Sequence, residues 1–569
     1  MKFRLLAIVL LALSAACTSV SRRGPPLAEA PGATPRIAQT ANPMATRAAL
    51  DMLDRGGNAV DAIVAAQMVL GLVEPQMSGI GGGTLIIYRD ASSGRLEAFD
   101  GLAAAPARTT ASLRTDVDGT LLPAEAVRHG GRSVAVPGTL PVLAEIHRRH
   151  GKLPWSALFD PAIALAERGF PIPEYLRRII ALDDVTPAKY PDLRMFFDAS
   201  GQPLAIGTIV RNPEYAQTLR RIAARGIEGW LGGDGAERIV AAARRGAYPT
   251  LMTPQDLRDY RAIEREPICG PFLAYRVCTV PPPAYGGVYL LQALQMLEAC
   301  SDGRYDFGDA SFVHLFVETG KLARADRAAW VGDPAFGAVP VAGLISPAYV
   351  RERAASIDAE RANPSPRAGK PPGSAAVRDP NPELTMGGTS QLTVADSAGN
   401  VVAMTTTINI GFGARLMVDG YVLNDALTNV SAAPKPGQSR ANAMEPGKRP
   451  FTSMAPAIVL DRDGNVVAAG GSAGGGPIPD YVVQGWIEIL AHGVTPAGVV
   501  GRGHISTATA GKVVLEKGTR AAQLAEPLRA RGHDVAVAPL LSGAGYIERA
   551  GGGWIGAADP RRGGDAAGN

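Results

Sequence analysis

The most informative pattern of hydrophobic and polar positions in this chain is a pair of strands that begins at Thr389. In the first strand Leu392 and Val394 alternate with polar residues, so their two side chains are expected to share one face. Residues 396–400 have the composition of a turn, and residues 401–409 return as a second strand rich in threonine. The hairpin therefore places Thr389 across from the end of the returning strand.

Thr407 and Asn409 are two residues apart and share one face of that returning strand, so a hydroxyl and an amide are expected beside Thr389. Gly387 and Gly388 precede Thr389 and permit the strained backbone that self-cleavage requires. A threonine released by cleavage after Gly388 would use its own α-amino group as the base for its hydroxyl. The other interpretation is that β-branched residues simply suit a strand.

Helical patterns dominate the first two thirds of the chain, and hairpins dominate the last third. Helices are predicted in the segments 45–72, 141–150, 156–168, 213–225, 234–244, 289–297, 312–330 and 481–492. Further strand pairs are predicted in the segments 84–99, 269–280, 457–469 and 546–557. This arrangement in blocks predicts an α+β protein with layered αββα packing rather than strict alternation of strands and helices.

A segment rich in proline and glycine, residues 361–384, ends just before Thr389 and is predicted to be mobile. A flexible segment that leads to one Gly-Thr junction is what an internal processing site needs. We therefore expect the chain to divide between Gly388 and Thr389.

Composition and charge exclude some classes of function. The chain has 569 residues, of which 46% are hydrophobic and 19% charged, as in a globular protein with a large core. The net charge of +4 is too small for this length to indicate a nucleic-acid partner. No nucleic-acid partner is expected.

The amino terminus has the features of an export signal. Residues 1–16 combine a basic start, an apolar run and small residues, which predicts a signal peptide that is too short to be an ordinary transmembrane helix. Cys17 follows the small residues, as at a bacterial lipidation site, and residues 17–35 form a tether. The expectation is an exported, periplasmic protein, with a lipid anchor to the outer membrane through Cys17 or simple signal cleavage as the alternative.

The remaining cysteines and the histidines leave their roles open. Cys269 and Cys278 flank a predicted strand pair and could form a bridge, but buried free thiols are equally compatible with the pattern, and Cys300 is left over. The seven histidines have no spacing that predicts a metal site.

A competing nucleophile lies in the glycine-rich loop 470–476. Residues 470–474 fit the Gly-x-Ser-x-Gly nucleophile elbow, with Ser472 as nucleophile and Asp480 and His533 as partners in the expected chain order. The same run of glycines could instead supply backbone N–H groups that bind an oxyanion.

Many ordered motifs resemble the gamma-glutamyltranspeptidase (glutathione hydrolase) family of N-terminal-nucleophile hydrolases. They lie at residues 56–62, 74–83, 136–138, 160–169, 281–287, 325–327, 332–334, 389–409, 448–450, 453–454, 474–475 and 559–561. The resemblance implies an αββα sandwich of two paired subunits cut from one precursor, here residues 36–388 and 389–569. It also implies that the protein acts on a small molecule, without a metal or an organic cofactor.

The same resemblance assigns roles to single residues. Thr389 corresponds to the nucleophile, and Thr407 and Asn409 to residues that orient it and contact the substrate. Thr452 and Ser453 correspond to the pair that receives the substrate carboxylate. Gly474 and Gly475 correspond to the oxyanion hole.

Three positions depart from the family pattern at the acyl end of the substrate. Leu102 stands where the family has an arginine for the substrate carboxylate, Asn429 where it has an acid for the α-ammonium, and Ala426 where it has a glutamine. Each lost contact is a charged or polar hydrogen bond, worth about 1.5–3 kcal/mol where a charge is involved. Arg108 is close enough in sequence to replace the arginine. The loop 431–447 is shorter than the usual lid and has no tyrosine.

The combined interpretation is an exported, self-processing amidohydrolase that attacks a γ-glutamyl or similar amide through Thr389 and passes the acyl group to water or an amine. Three alternatives remain open. They are a glutaryl or cephalosporin-acylase-like amidase with an altered acyl pocket, a serine hydrolase that uses Ser472, and an envelope binding protein without turnover.

Overall fold

The computed structural model of the protein describes residues 32–123, 127–374, 388–431, 433, 439–509 and 511–569. The predicted signal peptide, Cys17 and the residues of the linker nearest to Gly388 lie outside this range. The α-helices, in chain order, are Pro43–Asp54, Ala59–Val73, Thr139–His150, Asp160–Arg168, Glu174–Leu182, Pro213–Arg225, Ile227–Leu231, Gly235–Ala243, Pro254–Asp259, Tyr285–Cys300, Ala310–Trp330, Val341–Leu344, Pro347–Ala355, Ile478–His492, Pro496–Val500 and Ala525–Ala530.

The strands, in chain order, are β1 Ile37–Thr40, β2 Gly83–Arg89, β3 Leu96–Gly101, β4 Phe170–Pro171, β5 Ile209–Val210, β6 Ile263–Arg265, β7 Ile268–Phe272, β8 Tyr275–Thr279, β9 Ser390–Ala395, β10 Val401–Thr407, β11 Met417–Val418, β12 Tyr421–Val422, β13 Ala457–Leu460, β14 Val466–Gly471, β15 Ile505–Thr509, β16 Lys512–Glu516, β17 Val535–Ala538, β18 Gly545–Ala550, β19 Gly553–Ala558 and β20 Asp565–Gly568. Short 3-10 helices cover Gly131–Ser133, Trp155–Phe159, Pro191–Phe196, Pro334–Phe336, Ala426–Asn429, Arg520–Leu524 and Pro560–Arg562.

Two antiparallel sheets form the centre of the fold. One has the strand order β20-β1-β9-β10-β2-β3-β6 and the other β19-β18-β14-β13-β8-β7. A separate apolar cluster fills the space between the sheets, and two larger clusters join the outer face of each sheet to its own layer of helices. The predicted α+β fold with four αββα layers is therefore confirmed.

The alternation of side chains in β2 shows how one strand serves two layers. Ile86 and Tyr88 pack in the cluster on the helical side, whereas Leu85 and Ile87 pack in the cluster between the sheets. A strand covered on both faces is apolar at every position, because successive side chains point to opposite faces.

The helix Ala59–Val73 lies under the first sheet, and all fifteen of its residues are buried. Asn58 and Asp61 form a capping box at its start, which satisfies backbone donors that the first turn leaves without partners. Gly57 precedes it at a close approach, where an added Cβ would lie 2.7 Å from the carbonyl oxygen of Met52. The predicted helical segment 45–72 is therefore divided into two helices at this glycine pair.

The structure also decides two questions that the sequence left open. Cys269 and Cys278 are opposite each other in the β7–β8 hairpin and form a disulfide, while Cys300 is a free thiol. The described part of the predicted mobile linker, up to residue 374, is bound to the surface. For example, the Ala362 amide donates to Arg531 O, and the Gly369 amide donates to Asp326. The described part of the linker therefore has specific contacts with the rest of the protein, and its mobility stays a prediction.

Among the described helices, none is both long and apolar enough to cross a lipid bilayer.

Candidate active site

The hairpin of β9 and β10 sets the position of Thr389. Ser390 pairs with Thr406, so Thr389 lies opposite Thr407, as the alternation of side chains predicted. Leu392 and Val394 face the helical layer, and Gln391 points toward the second sheet, where Gly471 packs against its side chain. Thr389 is only 3% exposed, so its hydroxyl lies in a confined environment.

The peptide group between Gly388 and Thr389 is held on both sides in the uncleaved chain. The Gly388 amide donates to the carbonyl oxygen of Asn409. The Thr407 hydroxyl donates to the Gly388 carbonyl oxygen at 2.7 Å, and the Thr389 hydroxyl contacts the same oxygen. The two hydroxyl oxygens are 3.4 Å apart. Two hydroxyls thus converge on the carbonyl that self-cleavage would attack.

Asn409 links this carbonyl to a short helix on the opposite side of the site. Its backbone has φ of 82°, a left-handed conformation that asparagine tolerates better than most residues. Its amide nitrogen donates to the Thr407 hydroxyl at 2.8 Å, and its side-chain Nδ2 donates to Thr428 Oγ1 at 2.8 Å and to Asp425 O at 3.2 Å. The side chain is thereby fixed in one orientation.

Sequence reasoning missed two buried charged residues next to Thr389 and Ser390. Arg562 Nη1 donates to the carbonyl oxygen of Thr389 at 2.6 Å, and its other nitrogens donate to two further backbone carbonyls. Glu74 accepts a hydrogen bond from Ser390 at 2.9 Å. Burial raises the Glu74 pKa to about 7, although the nearby Arg562 and the Ser390 hydrogen bond both lower it. No local signal marked Arg562, because it lies one residue beyond the family motif.

The glycine-rich loop follows β14 at the edge where β9 begins. Gly471 ends the strand, and an added Cβ there would lie 2.6 Å from Gln391 Oε1. Gly474 and Gly475 both have positive φ, of 132° and 72°, which favours glycine. The Ser453 hydroxyl donates to the Gly475 carbonyl oxygen at 2.7 Å. The loop therefore contacts both the 452–453 segment and strand β9.

The structure does not assemble the triad expected for a serine hydrolase. The buried Ser472 hydroxyl donates to Ala473 O at 2.9 Å. The Asp480 carboxylate instead accepts hydrogen bonds from the Arg324 guanidinium and the Thr507 amide. His533 is hydrogen-bonded to His314 at 2.8 Å. In the described residues, none of the three proposed partners bonds to another.

Comparison with known proteins identifies the family of this chain. The family model of gamma-glutamyltranspeptidase matches residues 45–569. This chain belongs to that family. It is 35% identical to a glutathione hydrolase proenzyme of Bacillus subtilis, over 93% of this chain and 90% of that protein. It is 37% identical to the acylase ACY 1 proenzyme of a Pseudomonas species (strain SE83), over 89% and 88% of the two chains.

A solved structure resembles the fold over its full length. The cephalosporin acylase from Bacillus halodurans superposes with a TM-score of 0.82 at 27% identity and covers 99% of both chains. The protein belongs to the gamma-glutamyltranspeptidase family and has acylases among its relatives. Its general class is therefore that of the amide-cleaving hydrolases.

The three departures from the gamma-glutamyltranspeptidase pattern occupy different environments. Leu102 is 5% exposed and packs in the cluster between the two sheets, while its carbonyl accepts from the Tyr260 hydroxyl at 2.7 Å. Ala426 and Asn429 lie in the short helix that Asn409 contacts, and both are half-buried. Arg108, the possible replacement for the family arginine, is exposed on the surface.

A cluster of His314, Glu318 and His533 lies outside this site, with donor atoms within 4.8 Å of one another. The sequence could not indicate it, because His533 is distant in the chain. The Lys321 ammonium donates to Glu318 at 2.8 Å and contacts His533 Nδ1 at 3.2 Å. Burial and the Lys321 charge lower the His533 pKa to about 3. The Lys321 ammonium would repel a metal cation bound by these side chains. The cluster is therefore interpreted as a hydrogen-bonded network between distant segments.

Proposed function

We propose that the protein is a self-processing amidohydrolase whose nucleophile is Thr389, exposed as a new amino terminus by cleavage after Gly388. The observation that carries this proposal is the convergence of the Thr389 and Thr407 hydroxyls on the Gly388 carbonyl oxygen. Relatives of this chain include proteins named proenzymes, which is consistent with a processed precursor.

Processing would proceed as an acyl shift followed by hydrolysis. The Thr389 oxygen attacks the Gly388 carbonyl carbon, and the hydrogen bond from Thr407 stabilises the oxyanion that forms. The proton of the Thr389 hydroxyl passes to the amide nitrogen as the C–N bond breaks, and an ester joins Gly388 to the Thr389 oxygen. Water then cleaves the ester, which leaves a Gly388 carboxylate and a free Thr389 α-amine. The products are a large subunit ending at 388 and a small subunit of residues 389–569 that stay paired.

In turnover the same oxygen attacks the carbonyl of a substrate amide. The α-amino group of Thr389 takes the hydroxyl proton and delivers it to the departing amine, so no histidine is required. The backbone N–H groups of Gly474 and Gly475 are the proposed donors to the tetrahedral oxyanion. The acyl ester is then transferred to water or to an amine. Thr407 and Asn409 orient the nucleophile through the hydrogen bonds described above.

The substrates proposed from the family are γ-glutamyl compounds such as glutathione, with acyl amides such as glutaryl amides as the alternative. The relatives' names include both glutathione hydrolase and acylase. Thr452 and Ser453 are the proposed contacts for a substrate carboxylate, and Asn429 replaces the acid that would hold an ammonium. No cofactor is part of this proposal. Export to the periplasm and a lipid anchor at Cys17 remain proposals from the sequence of the amino terminus.

The deciding experiment is amino-terminal sequencing of purified active protein. Wild type should yield a small chain that begins with Thr389, whereas Thr389→Ala should stay a single inactive chain. Thr389→Ser should retain part of the self-processing and part of the amide hydrolysis, because a hydroxyl and an α-amine remain. Active protein with any other internal amino terminus contradicts the proposal.

Two controls separate the other functions. Ser472→Ala should be processed and active, and covalent acyl labelling should occur on Thr389. A folded and processed Ser472→Ala without activity would favour the serine nucleophile. A processed wild type that turns over no amide would favour an envelope binding protein.

A further inference from the structure

A cavity of about 380 Å³ lies outside the proposed reaction centre. Its walls come from four segments that are distant in the chain, namely residues 129–130, 189–192, 245–248 and 414–416. The last of these segments belongs to the loop that follows β10. The volume lies within the usual range of sites for small molecules. We call this space the Arg415 cavity.

The side chains that line the Arg415 cavity carry more positive than negative charge. Its cations are Lys189, Arg245 and Arg415, and Asp192 supplies a single carboxylate. That carboxylate is already paired, because it accepts a hydrogen bond from Arg245 Nη2 at 2.5 Å. Lys189 forms an ion pair with Asp184, an exposed residue outside the cavity wall. The walls therefore present an excess of positive charge to whatever enters.

Arg415 is a buried cation without an anionic partner. It is 7% exposed, and its Nη2 donates to the backbone carbonyl oxygen of Asp183 at 3.1 Å. Its Nε is buried and has no hydrogen-bond partner, and no carboxylate in the described part of the chain forms an ion pair with it. Buried charges in proteins are normally paired, because an unpaired charge loses its hydration without compensation.

A neighbouring histidine senses the same positive charge. Burial, together with the charges of Arg415 and Arg128, lowers the pKa of His129 to about 4, against a hydrogen bond with the Gly413 backbone. His129 lines the cavity, and its Nδ1 is a second buried polar atom that has no hydrogen-bond partner among the described residues. The charges of Arg415 and Arg128 also lower the pKa of the Asp183 carboxyl, which burial raises. That carboxyl forms no ion pair with Arg415, so the region lacks a compensating anion.

The orientation of the Arg415 guanidinium suits it to bind an oxyanion. The group stacks over the ring of Tyr190 at 4.4 Å. Stacking covers one face of the guanidinium and leaves its edge for hydrogen bonds, and this edge binds a carboxylate or a phosphate through two parallel N–H···O bonds. The backbone of Arg415 has φ of 60°, a left-handed conformation that is unfavourable for a long side chain and that is found at ligand sites.

We propose that the Arg415 cavity binds a small organic anion, whose carboxylate or phosphate group pairs with the Arg415 guanidinium. Nε and one Nη of Arg415 would each donate to an oxygen of that group, and Lys189 and Arg245 add positive charge at the wall. The rest of the molecule would lie against Tyr190, Tyr248 and other wall residues. The cavity shares no lining residue with the site around Thr389, so this binding site is separate from the proposed reaction centre.

The test measures the binding of inorganic phosphate and of acetate to purified wild-type protein by calorimetry. Chloride keeps the ionic strength constant, which separates specific binding from screening. Wild type should bind at least one of the two oxyanions, and the saturating anion should raise Tm by about 2 °C. The anion that binds more tightly shows whether the site prefers a phosphate or a carboxylate. If neither oxyanion binds, the proposal is overturned.

Variants of one arginine check the location. Arg415→Met removes the guanidinium and should weaken binding by at least about tenfold, the effect of a lost charged hydrogen bond. Arg415→Lys keeps the charge without the planar fork and should weaken binding less. Arg225→Met, at an exposed arginine that does not line the cavity, should bind the anion as wild type does. Equal affinities of Arg415→Met and Arg225→Met contradict the assignment.

Two further variants keep the test decisive. If Arg415→Met does not fold, Lys189→Met decides, because its side chain is 56% exposed and its replacement should leave the fold intact. Its affinity for the anion should fall about threefold, as expected for one exposed charge, and an unchanged affinity overturns the assignment. Thr389→Ala should bind the anion as wild type does, whether or not Thr389 is the nucleophile. Loss of binding in Thr389→Ala would place the anion at the reaction centre and overturn the separate site.

Discussion

Arg562 donates a hydrogen bond to the backbone of Thr389, and its Nη1 lies 2.6 Å from the carbonyl oxygen of that residue. The two residues are 173 positions apart in the chain. The guanidinium is 4% exposed and stacks over the ring of Tyr175 at 4.9 Å, while it also donates to the carbonyls of Leu541 and Ser542. The carboxyl-terminal segment therefore fixes the backbone of Thr389, the proposed nucleophile, directly.

Replacing this arginine should loosen the nucleophile. Arg562→Met keeps most of the volume but leaves three carbonyls without their charged donor, which should cost at least about 3 kcal/mol of unfolding free energy. In the processed fraction kcat should fall more than KM rises, because the change displaces the attacking group rather than the substrate. Urea unfolding and steady-state kinetics measure the two effects. Arg225→Met, at an exposed arginine, is the control and should change neither the unfolding free energy nor the kinetics.

Thr407 should be required for processing. Thr407→Val removes the hydroxyl that donates to the Gly388 carbonyl, so self-cleavage should slow by about 100-fold, the usual effect of one lost oxyanion donor. Thr407→Ser should restore most of the rate. The appearance of the small chain over time, followed by gel electrophoresis, gives the rate. Thr406→Val removes a hydroxyl that bonds Thr84 instead, and equally slow processing in that variant would contradict the specific role of Thr407.

Glu74 should make stability depend on pH near neutrality. Burial raises its pKa from the usual 4.5 to about 7, so the folded state holds a proton that the unfolded state releases. Its contribution to stability is complete below pH 4.5 and is lost as the pH rises through 7. The unfolding free energy of wild type relative to Glu74→Gln should therefore fall by about 2–3 kcal/mol between pH 5 and pH 8.

Urea unfolding at the two pH values measures this difference. Glu526→Gln changes an exposed carboxylate, which is 82% accessible, and should show no such slope. A Glu74→Gln protein with the same pH dependence as wild type would show that Glu74 is ionised in the folded state.

The substitution at Asn429 should govern how the enzyme ranks charged acyl groups. Without an anion for the ammonium, wild type should cleave a glutaryl amide at least as efficiently as the matching γ-glutamyl amide. Asn429→Asp should raise the ratio of kcat/KM for γ-glutamyl over glutaryl by about tenfold, or ~1.4 kcal/mol. Asn442→Asp, at a neighbouring buried asparagine that bonds backbone groups, is the comparison. A strong wild-type preference for γ-glutamyl that Asn429→Asp leaves unchanged would mean that this position does not meet the substrate.

Local patterns explain which parts of the site could be predicted. The alternation around Leu392 and the turn at 396–400 determine the register of the hairpin, because a slip of one residue would exchange its two faces. Thr407 and Asn409 were therefore placed correctly beside Thr389. The pairing of Cys269 with Cys278 remained undecided, since it depends on the exact register of β7 and β8.

The sequence by itself determined the layered fold, the hairpin that carries Thr389 and the family, because these depend on periodicity, turn residues and motifs that are contiguous in the chain. Only the tertiary structure decided that Arg562 and Glu74 contact Thr389 and Ser390, that Asp480 and His533 bond to groups other than Ser472, and that alanines from separate segments form one apolar cluster. The physical reason is that buried charges and packed side chains obtain their partners from segments that are far apart in sequence, and no local pattern specifies such contacts.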